Sequence, residues 1–262
     1  MKVLARAGLR CLRSPSRLKL LFDPNARQML SLRLQGVHKE FATDQDDRKA
    51  NGLSRRVYSS YDTYVRHQQS KLKMLTSGGS FGLDGTNLSE YDDKFRRHLR
   101  SRLQSLNVVD GGKSVLCLAA RLGSEVKAFL DCGCFAIGID LNPGKENAYV
   151  LPGDFHHLVF ADRSVDLVYC NSIDHAFDLT KLFAEVHRVI KPSGYFLAEV
   201  QLGAAEGQRN NTGLWESLSW DSTEIVQKAI EAQGFHVEHS TAFSEPWPGR
   251  CLVSKKASSG GC

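Results

Sequence analysis

SVLCLAARLGSEVKAFLDCGCFAIGIDLNPGKENAYVLPGD, residues Ser114–Asp154, decides the fold. Val115–Ala120 is an apolar run with the length and content of a buried strand. A turn at Arg121–Gly123 leads into an amphipathic segment with Leu122, Val126, Phe129 and Leu130 on one face. Gly133 stands where a helix C-cap belongs, and a second apolar run, Phe135–Ile139, closes on Asp140. Strand, helix, strand in this order is a βαβ unit of a parallel sheet. In a doubly wound sheet the tip of the second strand faces the ligand crevice, where a carboxylate can accept both ribose hydroxyls of a nucleotide. The helix start after the first strand offers free backbone N–H groups to a polar ligand tail.

The chain has 262 residues, 42% of them hydrophobic, enough to bury a full core. No apolar run reaches the ~18 residues of a membrane span. The net charge of +5 is unevenly spread: residues 1–113 hold 22 Lys/Arg against 11 Asp/Glu, and residues 114–262 hold 12 against 18. The basic half is a solvated surface or a contact for an acidic partner, nucleic acid included. The seven cysteines show no C-x-x-C pairing, which fits a reduced compartment. A cytoplasmic location is the expectation. Residues 1–22 carry six basic residues and no acid, so they read as a plain basic helix, as a segment for organelle targeting, or as an amphipathic helix resting on a membrane surface. No metal site is expected.

Outward from the opening unit, residues 36–56 read as a polar linker. Tyr61–Leu75 is helical, with Tyr61, Tyr64, Val65, Gln68, Leu72 and Leu75 near one stripe. Ser89 caps a second helix whose stripe is Tyr91, Phe95, Leu99, Leu103 and Leu106. Both helices precede the first strand and are expected to cover the sheet or the ligand mouth. Downstream come a short strand at Tyr149–Leu151, a strand at Val165–Cys170 and a helix at Leu179–Ile190. A sharp turn at Lys191–Gly194 leads to a strand at Tyr195–Val200. Residues 203–221, with Trp215 and Trp220, read as a loop; Ser222–Gln233 is a helix, and Phe235–Ala242 with Cys251–Ser254 make a terminal hairpin. The organisation is a basic helical extension at 1–107, a domain at 108–256 and a disordered tail at 257–262.

Four segments resemble the class I S-adenosylmethionine-dependent methyltransferases that act mostly on small molecules: VLCLAARLG (115–123), IGIDLNP (137–143), GDFHHLVFADRSVDLVYCNSIDH (153–175) and EVHRVIKPSGYFL (185–197). The resemblance implies an α/β, Rossmann-like, doubly wound and mostly parallel seven-stranded sheet with a C-terminal antiparallel hairpin. It implies S-adenosyl-L-methionine as cofactor, met by Ala119, Arg121, Gly123, Asp140, Leu141, Asp154, Phe155, Asn171 and Ser172. Asp140 takes the ribose, and Asp154, beside Phe155, takes the adenine amino group. The acceptor is a small molecule beyond the fourth strand, near His175. Methyl transfer is an in-line displacement that asks mainly for alignment and dryness. A base is needed only if the acceptor must lose a proton, and His175, then Asp174, are the candidates.

The first motif departs from the family, which has an acid at the Cys117 position and glycines at those of Ala119 and Arg121. A non-catalytic scaffold on this fold is therefore an alternative, as is a nucleic-acid methyltransferase. A NAD-dependent oxidoreductase shares the acid after the second strand but would want a G-x-G-x-x-G turn, absent here.

Overall fold

A computed structural model describes residues 48–76, 85–207 and 215–257. The expected helix or targeting segment at 1–22 and the tail at 258–262 lie outside the described residues. Seven strands form the central sheet: β3 (Ser114–Leu118), β4 (Phe135–Asp140), β5 (Val150–Pro152), β6 (Val165–Cys170), β7 (Ile190–Gln201), β9 (Phe235–Phe243) and β10 (Gly249–Lys256). Their order is β5-β4-β3-β6-β7-β10-β9. The first five are mutually parallel, and β10 runs antiparallel to both β7 and β9. This is the doubly wound sheet with a terminal antiparallel hairpin that the sequence implies.

Two apolar layers sandwich the sheet. On one face α4 (Leu179–Val189) and α5 (Thr223–Glu231) bury Leu182, Phe183, Val186, Val226 and Ile230 against Leu116, Val168 and Phe196. Asp178 caps α4, its carboxylate accepting from the N–H groups of Thr180 and Lys181. On the other face α2 (Gly85–Gln104) and α3 (Ser124–Asp131) bury Phe95, Leu99, Leu103, Val126 and Phe129 against Val115, Cys117 and Tyr169. Gly138 permits this packing, because a Cβ there would lie 2.8 Å from that of Ala120.

Two of the basic residues of α2, Arg96 and Arg102, tie it to the rest of the domain. Arg102 grips Glu199 of β7 with two parallel bonds of 2.7 and 2.8 Å, and the Tyr169 hydroxyl donates to the same carboxylate at 2.9 Å. Glu199 is 1% exposed, so these bonds hold a charge inside the protein. Arg96 makes a similar fork to Asp131 of α3.

Several sequence expectations need correction. Arg48–Ala50 (β1) and Leu53–Arg55 (β2) are strands within the expected linker, joined by Asn51-Gly52, both at positive φ. β2 pairs in turn with β8 (Leu218–Trp220), inside the expected 203–221 loop, tying the N-terminal segment to the domain. α2 begins at Gly85, so Ser89 lies within it and is not its cap. Tyr91 and Leu130, expected on buried stripes, are 43% and 41% exposed. Lys191–Gly194 belongs to β7, where Ile190 pairs with Val165 before an irregularity in the register. Lys191–Gly194 have no register partner in β6, because the next pair is Tyr195 with Leu167, so the expected turn is kept as a bulge within the strand. Among the described residues no helix is long and apolar enough to cross a membrane.

Replacing Arg102 with Leu leaves the Glu199 carboxylate buried and unpaired. Urea unfolding should show a loss of about 3–5 kcal/mol. A loss below ~1 kcal/mol would mean the pair does not hold α2 to the sheet.

Candidate active site

The turn after β3 keeps a glycine-like backbone without the glycines. Ala119 has φ 52°, Arg121 φ 36° and Gly123 φ 83°. Left-handed geometry costs a side-chain-bearing residue on the order of 1–2 kcal/mol, so the surroundings must enforce it. They do so through hydrogen bonds. The Asp140 carboxylate accepts from the Arg121 N–H at 3.1 Å and the Asn142 N–H at 2.8 Å. The Ala120 N–H reaches the Ile139 carbonyl at 3.0 Å, and Asn147 Nδ2 holds the Arg121 carbonyl at 3.0 Å. Gly123 is required sterically, since a Cβ there would meet that of Tyr149 at 2.8 Å.

This turn borders a cavity of about 240 Å³ over the C-terminal ends of β3, β4 and β6. Ala119, Arg121, Asp140, Leu141, Phe155, Asn171, Ser172, Asp174 and His175 all line it. Gly123 and Asp154 are not in its wall. Asp154 is taken up elsewhere. Its carboxylate accepts from the Tyr61 hydroxyl, from the His156 N–H at 2.8 Å and from His156 Nδ1 at 3.1 Å. Burial alone would raise its pKa, but these bonds outweigh burial and hold it well below the usual carboxylate range. His156 Nε2 accepts from the backbone N–H groups of Phe177 and Asp178, which assigns the ring proton to Nδ1.

The roof comes from the two helices that precede the sheet. α1 (Tyr61–Thr76) contributes Tyr64, Gln68 and Lys71, and α2 contributes Tyr91, Asp92 and Phe95. Much of the grip of α1 on the domain is polar. Gln69 reaches the Leu141 carbonyl, Asn142 reaches the Gln69 carbonyl, and Gln68 reaches the Trp215 carbonyl at 2.8 Å.

One end of the cavity gathers titratable groups. His175 Nδ1 lies 3.0 Å from the Trp215 carbonyl and 3.1 Å from Gln68 Oε1, both acceptors, so it carries the proton. Its Nε2 then accepts from Lys71 Nζ at 3.0 Å. Burial and the Lys71 charge push the His175 pKa well down. Burial and the Arg121 guanidinium push the Lys71 ammonium down to about 8. Asp174 is raised to about 7 by burial and by Glu216. Donor atoms of Asp174, His175 and Glu216 lie within 4.8 Å of one another, the spacing of a metal set, but Lys71 places an ammonium on the His175 lone pair. Thus His175 and Lys71 act as one unit.

Near the turn, Glu125 is buried, and burial raises its pKa to about 7 while Asn171 Nδ2 donates to it at 3.2 Å. The Arg121 guanidinium is close enough to act on the charges of Lys71, Tyr91, Asp92, Glu125 and His175, all in the cavity wall. Arg121 therefore points into the cavity.

Residues 116–198 match the family model described as "Methyltransferase domain". That segment carries a methyltransferase domain. A curated relative, malonyl-[acyl-carrier protein] O-methyltransferase 1 of Coxiella burnetii, is 31% identical over 100 residues, covering 37% of this chain. The match spans about a third of that relative, 34% of its length. Among solved structures, 1,6-didemethyltoxoflavin-N1-methyltransferase of Burkholderia thailandensis, with 1,6-didemethyltoxoflavin and S-adenosylhomocysteine bound, superposes with a TM-score of 0.60 at 13% identity. That superposition covers 82% of this chain and 99% of that one. A SAM-dependent methyltransferase of Aquifex aeolicus gives 0.51 at 16% identity, covering 66% and 99%. At such identities these two structures establish the fold of the methyltransferase domain.

The sequence alone does not assign Tyr64, Gln68, Lys71, Asp92, Glu125 or Glu216 to the site. Tyr64 and Gln68 belong to the expected helix stripe, and Lys71 lies beside it, three residues after Gln68. For Asp92, which reads as a cap partner, and for Glu125 and Glu216, no sequence signal marks the tertiary approach.

The strained turn separates two effects. Ala119→Gly and Arg121→Gly should each raise stability by about 0.5–1 kcal/mol in denaturant unfolding, the left-handed cost less the entropy of glycine. Arg121→Gly alone should also weaken S-adenosylhomocysteine binding, through loss of the guanidinium. Tighter binding by Arg121→Gly would instead mark Arg121 as an obstruction.

Glu125 keeps its proton in the fold up to about pH 7 and releases it near the ordinary carboxylate pKa when unfolded. Folded protein thus binds more protons across that window, so stability should fall as pH rises from about 4 to 7 and level off above. Glu125→Gln should remove its share, about 2–4 kcal/mol at most, and raise stability at pH 8. Thermal melts of both proteins from pH 4 to 8 check this; parallel curves would contradict it.

Proposed function

We propose that the chain transfers a methyl group from S-adenosylmethionine to a small-molecule acceptor. The observation that carries this reading is the Ala119–Gly123 turn, which keeps the left-handed backbone of the glycine motif with the Asp140 carboxylate at its N–H. The cavity's chemistry fits the cofactor. Asp140 retains lone pairs for ribose hydroxyls, and Leu141 and Phe155 supply apolar walls for a base. Arg121 offers a fork to a carboxylate, and Glu125 with Asp92 offers acids to an ammonium. These are the complements of an amino-acid tail. Asn171 and Ser172 stand beside them at the end of β6. When bound, the cofactor supplies an electrophilic methyl on a sulfonium.

The chain's own part is to align and to exclude water. α1 and α2 roof the cavity, and residues 1–107 are accordingly read as a cap on a domain at 108–256. His175 and Asp174 are the candidate bases at this end of the cavity. The His175 Nε2 lone pair is held by the Lys71 ammonium, so His175 takes a proton from the acceptor only once Lys71 has moved away or given up its own. The match to a named O-methyltransferase supports the reaction class. Nucleic acid is the weaker acceptor reading, because Arg96 and Arg102 of the basic α2 are spent on Asp131 and Glu199.

Calorimetric titration with S-adenosylhomocysteine and, separately, NADH tests the proposal. The first should bind and the second should not. Asp140→Ala should cost about 1–3 kcal/mol of that affinity, as for a charge-assisted hydrogen bond. Wild-type protein that binds NADH in place of S-adenosylhomocysteine would overturn the reading.

A further inference from the structure

Tyr64 lies one turn into α1, is fully buried and lines the cavity. Its hydroxyl is shielded from solvent and has no hydrogen-bond partner among the described residues. Its neighbours show the contrast. The Tyr58 hydroxyl pairs with His67 Nδ1 at 2.9 Å and Ser217 Oγ at 3.0 Å, and the Tyr61 hydroxyl donates to Asp154. Nor is the Tyr64 ring free to swing towards a partner. It is packed on four sides, with ring centroids of Tyr58, Tyr61, His156 and Phe177 between 5.3 and 5.6 Å away. A buried phenol without a partner is disfavoured relative to phenylalanine of the same shape, so its presence calls for a ligand.

Its position says which part of the ligand. Its ring packs against those of Tyr61 and His156, the two residues that bond Asp154, and it shares the cavity wall with Asp140 at the tip of β4. Asp154 already accepts three hydrogen bonds from Tyr61 and His156 and stands outside the cavity wall. An adenosine group at this end needs a polar partner from another element, and the Tyr64 hydroxyl can both donate and accept.

We infer that Tyr64 is the hydrogen-bond partner of the cofactor's nucleoside group, supplied by the helix that precedes the sheet. The inference rests on the proposed function, and the experiment separates the two. The full chain and its Tyr64→Phe variant are titrated with S-adenosylhomocysteine and with 5′-methylthioadenosine, which keeps the nucleoside and lacks the amino-acid tail. Both proteins are also melted without ligand. Tyr64→Phe should melt no lower than wild type, since it loses only an unpaired hydroxyl. It should bind both ligands about 5- to 150-fold more weakly, by the same factor, as for loss of one partner of a buried hydrogen bond.

Equal affinities in variant and wild type would overturn the inference and leave the cofactor reading standing. A loss confined to S-adenosylhomocysteine would place the hydroxyl on the tail and overturn it too. A variant that melts lower without ligand, or fails to fold, would show the hydroxyl satisfied within the fold, and the inference would fall in that case as well. Wild-type protein that binds neither ligand would remove the cofactor reading and this inference together.

Discussion

The Asp140 carboxylate holds the mouth of the cavity in shape. It stands at the end of β4 and bonds the backbone N–H groups of Arg121 and Asn142, one on each side of the crevice. The Arg121 bond fixes a turn whose residues, Ala119 and Arg121, would not choose left-handed geometry on their own. Because that turn stays open, α3 starts where its first residues, Ser124 and Glu125, face the cavity. The other elements arrange themselves around this crevice.

The roof is held in two different ways. α2 is anchored by buried apolar residues and by the Arg102–Glu199 fork, a charge pair inside the protein that is expensive to break. α1 is tied by hydrogen bonds to the loops that follow β4, β5 and β6 and to the strand-leading residues Trp215 and Ser217. Polar ties of that kind can be exchanged for water or ligand at low net cost. The same helix carries Tyr64, Gln68 and Lys71, so the part of the roof that contacts the cavity contents is also the part least committed to the core. Burial brings Lys71, Asp174 and Glu125 towards neutrality, so the cavity can rebalance its protons when a charged ligand enters.

The parallel sheet and its terminal hairpin were legible from apolar runs, a helix stripe and the family resemblance, whereas fewer than half of the cavity-lining residues were named as site residues from the sequence. Asn51-Gly52 was an available hairpin signal that the polar content of 36–56 obscured. Lys191–Gly194 carries turn residues, and the structure keeps it as the bulge within β7 between the Val165–Ile190 and Leu167–Tyr195 pairs. Tyr61 and Tyr64 were visible as helix-face residues, but the periodicity of a buried face says nothing of which hydroxyl finds a partner. Asp154 illustrates the converse. Its place in the motif points to the ligand, whereas its carboxylate is bonded by Tyr61, 93 residues earlier in the chain. Such pairings across long separations leave no trace in spacing.

The central claim is that an adenosyl cofactor enters between the Ala119–Gly123 turn and α1. Amide hydrogen exchange on the full chain, with and without saturating S-adenosylhomocysteine, tests it most directly. Exchange should slow at residues 119–123 and 140–142 and along 61–71, with the far hairpin of β9 and β10 unchanged. Unaltered exchange at all three segments, or protection confined to another part of the molecule, would contradict it.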